Sequence, residues 1–295
     1  MNQVSNPVIT SLLVEELHIK SQVPKPTAKN TPLRYSSTFS CGRQQGYAAF
    51  NADPTEPMDE AGAWVTGLGT IVHEALQEAI GRRFPSAQFE VPSMIGDFLS
   101  GSCDALIDTY DVGTNYGGTH VLYELKTMGT YAFDKQVGWN RLRGTINNPQ
   151  GPAGKAVAQA GLNALGIEGE NPEIRIETLV MGSIGFEALS KNKANNMGIE
   201  GVNRFLAEFN IPRSEWEPLA TEELARMEGM AFNIDAGYLP DRLAINDDGN
   251  LVILNPVSSA WQCEYCMFRS LCHDDGEGQV RITESSITKR EVENG

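Results

Sequence analysis

Asp104, Glu124 and Lys126 are the residues in this chain best placed by type and spacing to do chemistry. Asp104 stands in Gly101-Ser-Cys-Asp104-Ala-Leu-Ile, and the other two in Tyr123-Glu-Leu-Lys-Thr127. Residues two apart on a strand point to one face, so Glu124 and Lys126 share a side. Segments 102–111 and 119–127 read as strands, joined by the turn-rich Val112-Gly-Thr-Asn-Tyr-Gly-Gly118. If that hairpin pairs in register, Asp104 comes near the other two. Two carboxylates suit a hard divalent cation, and a neighbouring lysine suits orienting or activating a water. A lone Glu-x-Lys is ordinarily a solvated face, so the set gains weight only beside other motifs.

The cysteines are a second signal. Cys263-x2-Cys266-x5-Cys272 lies near the end of the chain, with Cys41 far upstream. Thiolates this closely spaced can converge on one metal centre, with a fourth donor from a distant segment. Spacing alone leaves zinc and an iron–sulfur cluster both open. Cys103 falls inside an expected strand and reads as core. His73 lies on an expected helix, but Gln77 stands where a zincin helix needs its second histidine. Gln159, in Ala158-Gln-Ala-Gly-Leu-Asn163, says little alone. Gly154-Lys155 is no phosphate loop, because Pro149 and Ala156 replace the required glycine and Ser/Thr. Asn246-Asp-Asp-Gly249 lacks the ligands of an EF-hand loop.

Elements that must position these residues follow an α/β pattern. A helix is expected over 69–82, an extended segment over 88–92, and a helix around 155–165. A strand over 174–184 follows, then helices near 196–209 and 222–236, and a late hairpin about Asp247-Asp248-Gly249. Residues 1–34 read as an arm with a short amphipathic helix, 35–273 as the folded domain, and 274–295 as a flexible acidic tail. With 295 residues, 41% hydrophobic and 21% charged, the chain can bury a substantial core. No apolar run is long enough for a transmembrane helix, so no membrane partner is expected. Five cysteines and no secretory pattern point to a reducing, cytoplasmic setting. The net charge of −15 weighs against a nucleic-acid binder. Yet from Lys135 to Ile167 the chain carries Lys135, Arg141, Arg143 and Lys155 and no acid, so a local field can be positive. Tyr131, Phe133 and Trp139 flank that stretch, with base stacking and core packing evenly matched for them.

Taken in order, Cys41, Gly69-x3-His73, Gly101-x2-Asp104, Glu124-x-Lys126, Gln159 and Cys263-x2-Cys266-x5-Cys272 resemble the RecB-like branch of the PD-(D/E)XK nucleases. Within it the chain looks most like the CRISPR-associated exonuclease family and its phage-encoded relatives, and is similar to the AddB nuclease domain. The resemblance covers about Ser36 to His273. It implies a restriction-endonuclease-like core, a central mixed sheet flanked by helices, with a helical, cysteine-rich clasp. It further implies that Mg²⁺ or Mn²⁺ is held by His73, Asp104, Glu124 and the Leu125 carbonyl. Lys126 would position the attacking water, and Gln159 would contact DNA or steady the site. Cys41, Cys263, Cys266 and Cys272 would hold a [4Fe-4S] cluster. The implied activity is exonucleolytic hydrolysis of DNA, preferably at single-stranded ends and 5′ to 3′, with recombination or CRISPR-adaptation proteins as partners. A non-catalytic zinc- or cluster-bearing DNA-binding accessory protein, and an endonuclease or spacer-processing nuclease, are the alternatives. Asn163 stands where the family commonly has tyrosine, and Gly42-Arg43 where proline is common.

Overall fold

A computed structural model describes residues 33–56, 60–140, 145–146, 151–186, 206–245, 251–255 and 261–275. The expected arm and tail lie almost wholly outside these residues. Leu33 and Arg34 are the exception at the front: they form a strand.

The chain runs β1 (Leu33–Arg34), α1 (Gly42–Ala49), α2 (Glu60–Arg83), β2 (Gln88–Ile95), β3 (Leu99–Asp108) and β4 (His120–Met128). It continues through α3 (Thr130–Val137), α4 (Gly154–Glu170), β5 (Ile176–Gly185), β6 (Leu206–Pro212) and α5 (Arg213–Asp235). A small hairpin, β7 (Leu243–Ile245) and β8 (Leu251–Ile253), precedes two short helices, α6 (Trp261–Glu264) and α7 (Arg269–Asp274). Among the described residues, no helix is long and apolar enough to cross a membrane.

The fold is mixed α/β, a central sheet of β1, β2, β3, β4, β5 and β6 flanked by helices. β1 pairs parallel with β3, and β4 parallel with β5, while the other pairings are antiparallel. β2 occupies one edge of β3 from Leu99 to Leu106. A strand has two edges, so β1 and β4 must share the other one. There β1 takes Leu99 and Ser100, and β4 takes Ala105 to Asp108. Residues 101–104 of β3 face a break between the two partners. The functional residues gather at this break.

Even-numbered residues of β4 face α4, where Leu122 joins the main core with Leu162, Ile167, Trp216 and Met227. Odd-numbered ones face α2, whose Ile80 packs with Ala105 and Ile107 and has Tyr123 against it. Pro92 sits inside β2, which is tolerated because β2 lies at the sheet's edge.

One expectation needs correction. The helix expected near 196–209 gives way at Leu206 to Phe209, which belong to β6, paired with β5 from Leu206 to Pro212. Phe205, Leu206 and Phe209 mimic helical spacing, whereas Ala207, Phe209 and Ile211 alternate and supply the strand's inward face. The earlier part of that expected helix lies outside the described residues. Phe133 is fully buried and packs against Gly185, so it is core and not a base-stacking residue. Tyr131 is exposed; Arg141 and Arg143 lie outside the described residues.

Gly118 closes the β3–β4 connection at φ +66°, where an added Cβ would come within 2.3 Å of the Arg175 carbonyl oxygen. That oxygen already accepts from the Thr119 and His120 N–H groups, at 2.8 and 3.1 Å, so it cannot retreat. Gly118→Ala is expected to cost on the order of 3 kcal/mol, combining backbone strain with a clash. Its melting curve should fall by roughly 5–10 °C. An unchanged midpoint would mean the turn is not anchored there.

Candidate active site

The β3–β4 ladder ends at Ala105 opposite Tyr123. One more step in the same register sets Asp104 across from Glu124, but no ladder bond forms there. Instead the Leu125 N–H donates to Asp104 Oδ2 at 2.6 Å, so a carboxylate completes what the missing strand leaves open. The Leu125 carbonyl points to the same side as its N–H by strand geometry, toward the break.

Five side chains meet here from four elements. His73, on α2, places Nδ1 3.3 Å from Asp104 Oδ1. Glu124 is 3% exposed, and its Oε1 accepts from Lys126 Nζ at 2.7 Å and from Gln159 Nε2 at 3.0 Å. Gln159, on α4, returns the contact by accepting from Lys126 Nζ at 3.2 Å. The structure thus brings together His73, Asp104, Glu124, Leu125, Lys126 and Gln159.

Glu124 Oε2 is buried and has no hydrogen-bond partner. Burial pushes the Glu124 carboxyl up to about 7, against the pull of Lys126 and with a further push from Asp104. His73 is raised, chiefly by its hydrogen bond to Asp104. A lone buried carboxylate oxygen near a second carboxylate offers oxygen donors of the kind a hard divalent cation takes. Among the described residues, no three or more His, Cys, Asp or Glu side chains stand arranged to hold a metal ion. The donors here are neighbours in a chain of contacts rather than a closed ring. A cleft of about 260 Å³ opens beside them, bordered by His73, Asp104 and Glu124 and running under α2.

Sequence reasoning missed the groups that hold α2 against the sheet. Gln77, one helical turn after His73, donates to Glu90 Oε1 at 3.0 Å and lies 3.4 Å from the Asp104 carbonyl. Ser102 Oγ donates to Glu90 Oε2 at 2.9 Å. Glu90 sits opposite Asp104 on β2 at φ +48°, a backbone state that no residue spacing announces. The spacing of His73 and Gln77 on one helix face was the one legible sign.

The four cysteines line a single small cavity at a different place in the molecule. Cys41 immediately precedes α1, Cys263 lies in α6, and Cys272 in α7. The Cys266 N–H donates to the Cys263 carbonyl at 3.2 Å, forming the turn between the two short helices. Gly46 lets α1 lie directly on residues 239 and 240, since a Cβ there would meet Pro240 at 2.6 Å. The Thr55 and Glu56 N–H groups donate to the Met267 carbonyl at 2.8 and 3.0 Å, tying both segments together. Burial raises the Cys41, Cys263 and Cys266 thiols, and neighbouring cysteines raise them further; Cys266 reaches about 11. Thiols are soft donors, and a metal taken up by them would have to displace their protons, but among the described residues no three of these cysteines stand arranged to hold an ion. Cys103 is fully buried in β3 and lies outside this group.

No family model matches the chain, and no curated protein matches it. Among solved structures it is similar to the crystal structure of SSO0001, at 15% identity and a TM-score of 0.46, over 90% of this chain and 95% of that one.

Proposed function

We propose that this protein is a metal-dependent deoxyribonuclease, an exonuclease hydrolysing phosphodiester bonds at single-stranded DNA ends. The observation that supports it best is the meeting of His73, Asp104, Glu124 and Lys126 at the break in the β3 edge. On this reading the core is of the PD-(D/E)XK kind, and His73, Asp104, Glu124 and the Leu125 carbonyl would hold Mg²⁺ or Mn²⁺. Such an ion, when bound, acidifies a water and neutralises charge on the phosphate.

The chain's own groups do the rest. Lys126 Nζ, fixed between Glu124 and Gln159, presents a cation on the strand face shared with Glu124. There it offsets negative charge building on the phosphate oxygens and orients the attacking water. Gln159 bonds both Lys126 and Glu124, so it fixes the lysine's approach rather than reacting itself. The Leu125 N–H holds one Asp104 oxygen, leaving the other toward His73. Exposed Tyr131 offers a stacking surface, and Lys135 and Lys155 offer phosphate contacts. Cys41, Cys263, Cys266 and Cys272 would hold a [4Fe-4S] cluster as a clasp, away from the hydrolysis.

The test is incubation of anaerobically purified protein with 5′- and 3′-labelled single strands and Mn²⁺, read on a denaturing gel. Stepwise loss of label from one end is expected, and Lys126→Ala should leave the strands intact while still binding them. Intact strands with wild-type protein, or a Lys126→Ala variant that cleaves normally, would overturn the assignment.

A further inference from the structure

The cleft beside the carboxylates has a character of its own. It lies between α2 and the sheet. Leu76, Ile80 and Phe84 line its helix side, and Tyr123 and Gly182 its sheet side, with Glu208 of β6 also bordering it. Its border is shared with His73, Asp104 and Glu124, so whatever occupies it adjoins the hydrolytic groups. At about 260 Å³ it is smaller than the pockets that take drug-sized molecules, and suits one flat ring system.

Gly182 keeps the sheet side low. A Cβ built there would approach Leu125 Cδ1 to 3.1 Å, so any side chain would crowd the floor. Glu208 is exposed. Glu208 borders the same cleft as Tyr123, and after burial its charge is the next cause that raises the Tyr123 phenol. A carboxylate only accepts hydrogen bonds. It favours a base carrying an amino donor, as cytosine does at N4, over thymine, which presents the O4 carbonyl in that place.

We propose that this cleft seats one unpaired nucleobase of a DNA strand, held between the apolar helix side and Tyr123, with Glu208 accepting from its exocyclic amino group. The proposal rests on the nuclease reading for the identity of its ligand. It adds base selectivity to a site otherwise built to handle phosphate. Stacking against apolar and aromatic walls is the usual way a protein holds an unpaired base.

The experiment measures binding separately from cleavage. Short labelled strands of deoxycytidine, of deoxythymidine and of abasic residues, equal in length, are titrated by fluorescence anisotropy in Ca²⁺ at fixed salt. Wild-type protein is expected to bind the cytidine strand about 10-fold tighter than the thymidine strand, and the abasic strand weakest. Glu208→Gln, an exposed substitution with no packing to disturb, should remove the cytidine–thymidine difference, because an amide serves either base. Gly182→Leu should bind cytidine and abasic strands alike. Equal wild-type affinities for cytidine and thymidine would overturn the proposal, as would a preference that survives Glu208→Gln. The same strands in Mn²⁺ keep the two readings apart. Base-selective binding without cleavage sinks the nuclease and leaves the pocket, whereas cleavage without selectivity does the reverse.

Discussion

Glu124→Gln should melt higher than the wild type in chelator above pH 7, and should cleave DNA more than about 100-fold more slowly. The first effect follows from burial. Glu124 holds its proton up to about pH 7 in the folded protein, against an ordinary 4.5. Folded protein therefore binds more protons than the unfolded chain between those values, and the metal-free fold loses stability as pH rises through them. The loss is complete once the pH has passed the raised value, so by about pH 8 the fold has given it up. Glutamine carries no charge to bury, so its melting temperature should exceed the wild type's at pH 8 by roughly 3–8 °C and lose most of the pH dependence. Mn²⁺ should raise the wild type by linkage and the variant much less. The loss of cleavage has a lower bound in the 10–100-fold cost of removing groups that merely support metal ligands. Melting curves at pH 5 and pH 8, with and without Mn²⁺, decide it. A wild type with no pH dependence, or a variant that melts lower at pH 8, would place Glu124 outside a two-carboxylate site.

Protein purified without oxygen should be brown, and Cys41→Ser should both bleach it and lower its melting temperature by roughly 8–20 °C. Cys41 precedes α1, while Cys263, Cys266 and Cys272 lie at the far end of the chain, yet all four line one cavity. A shared metal centre would close a loop spanning most of the fold, a constraint worth on the order of 4–5 kcal/mol in loop-closure entropy. Cys103→Ala should leave the absorption unchanged, since Cys103 is packed inside β3. Visible spectra and metal analysis on the same preparation give the answer. Stoichiometric zinc in a colourless protein would replace the cluster by zinc, and a metal-free protein would refute the clasp.

The candidate site was legible in the sequence because its residues sit on regular elements with simple periods. Glu124-x-Lys126 shows its face through the strand's two-residue alternation, and the β3–β4 hairpin was bounded by glycines that mark its connection. The start of α2 was obscured by Gly62 and Gly67, which dilute the helical pattern over residues 60–68. The first turns of α5 were hidden by Pro218, which reads as a breaker but is accommodated inside the helix. Strand β1 was invisible, because two residues carry no period and Leu33 becomes strand only by pairing with Leu99. Glu90 and Glu208 were missed for a related reason. Their places depend on a positive φ and on the partner strand, and neither is written in local spacing.

The Leu125 amide gives the site a built-in spectroscopic reporter. Its N–H bonds a side-chain carboxylate at 2.6 Å, where its neighbours in the strand bond backbone carbonyls. Charge-assisted bonds of that length are the stronger kind, so its proton should resonate far downfield and exchange slowly with solvent. Any event that draws Asp104 away, whether a cation, a proton or a strand end, changes that one resonance. Occupancy of the break can then be followed in a protein that never turns over.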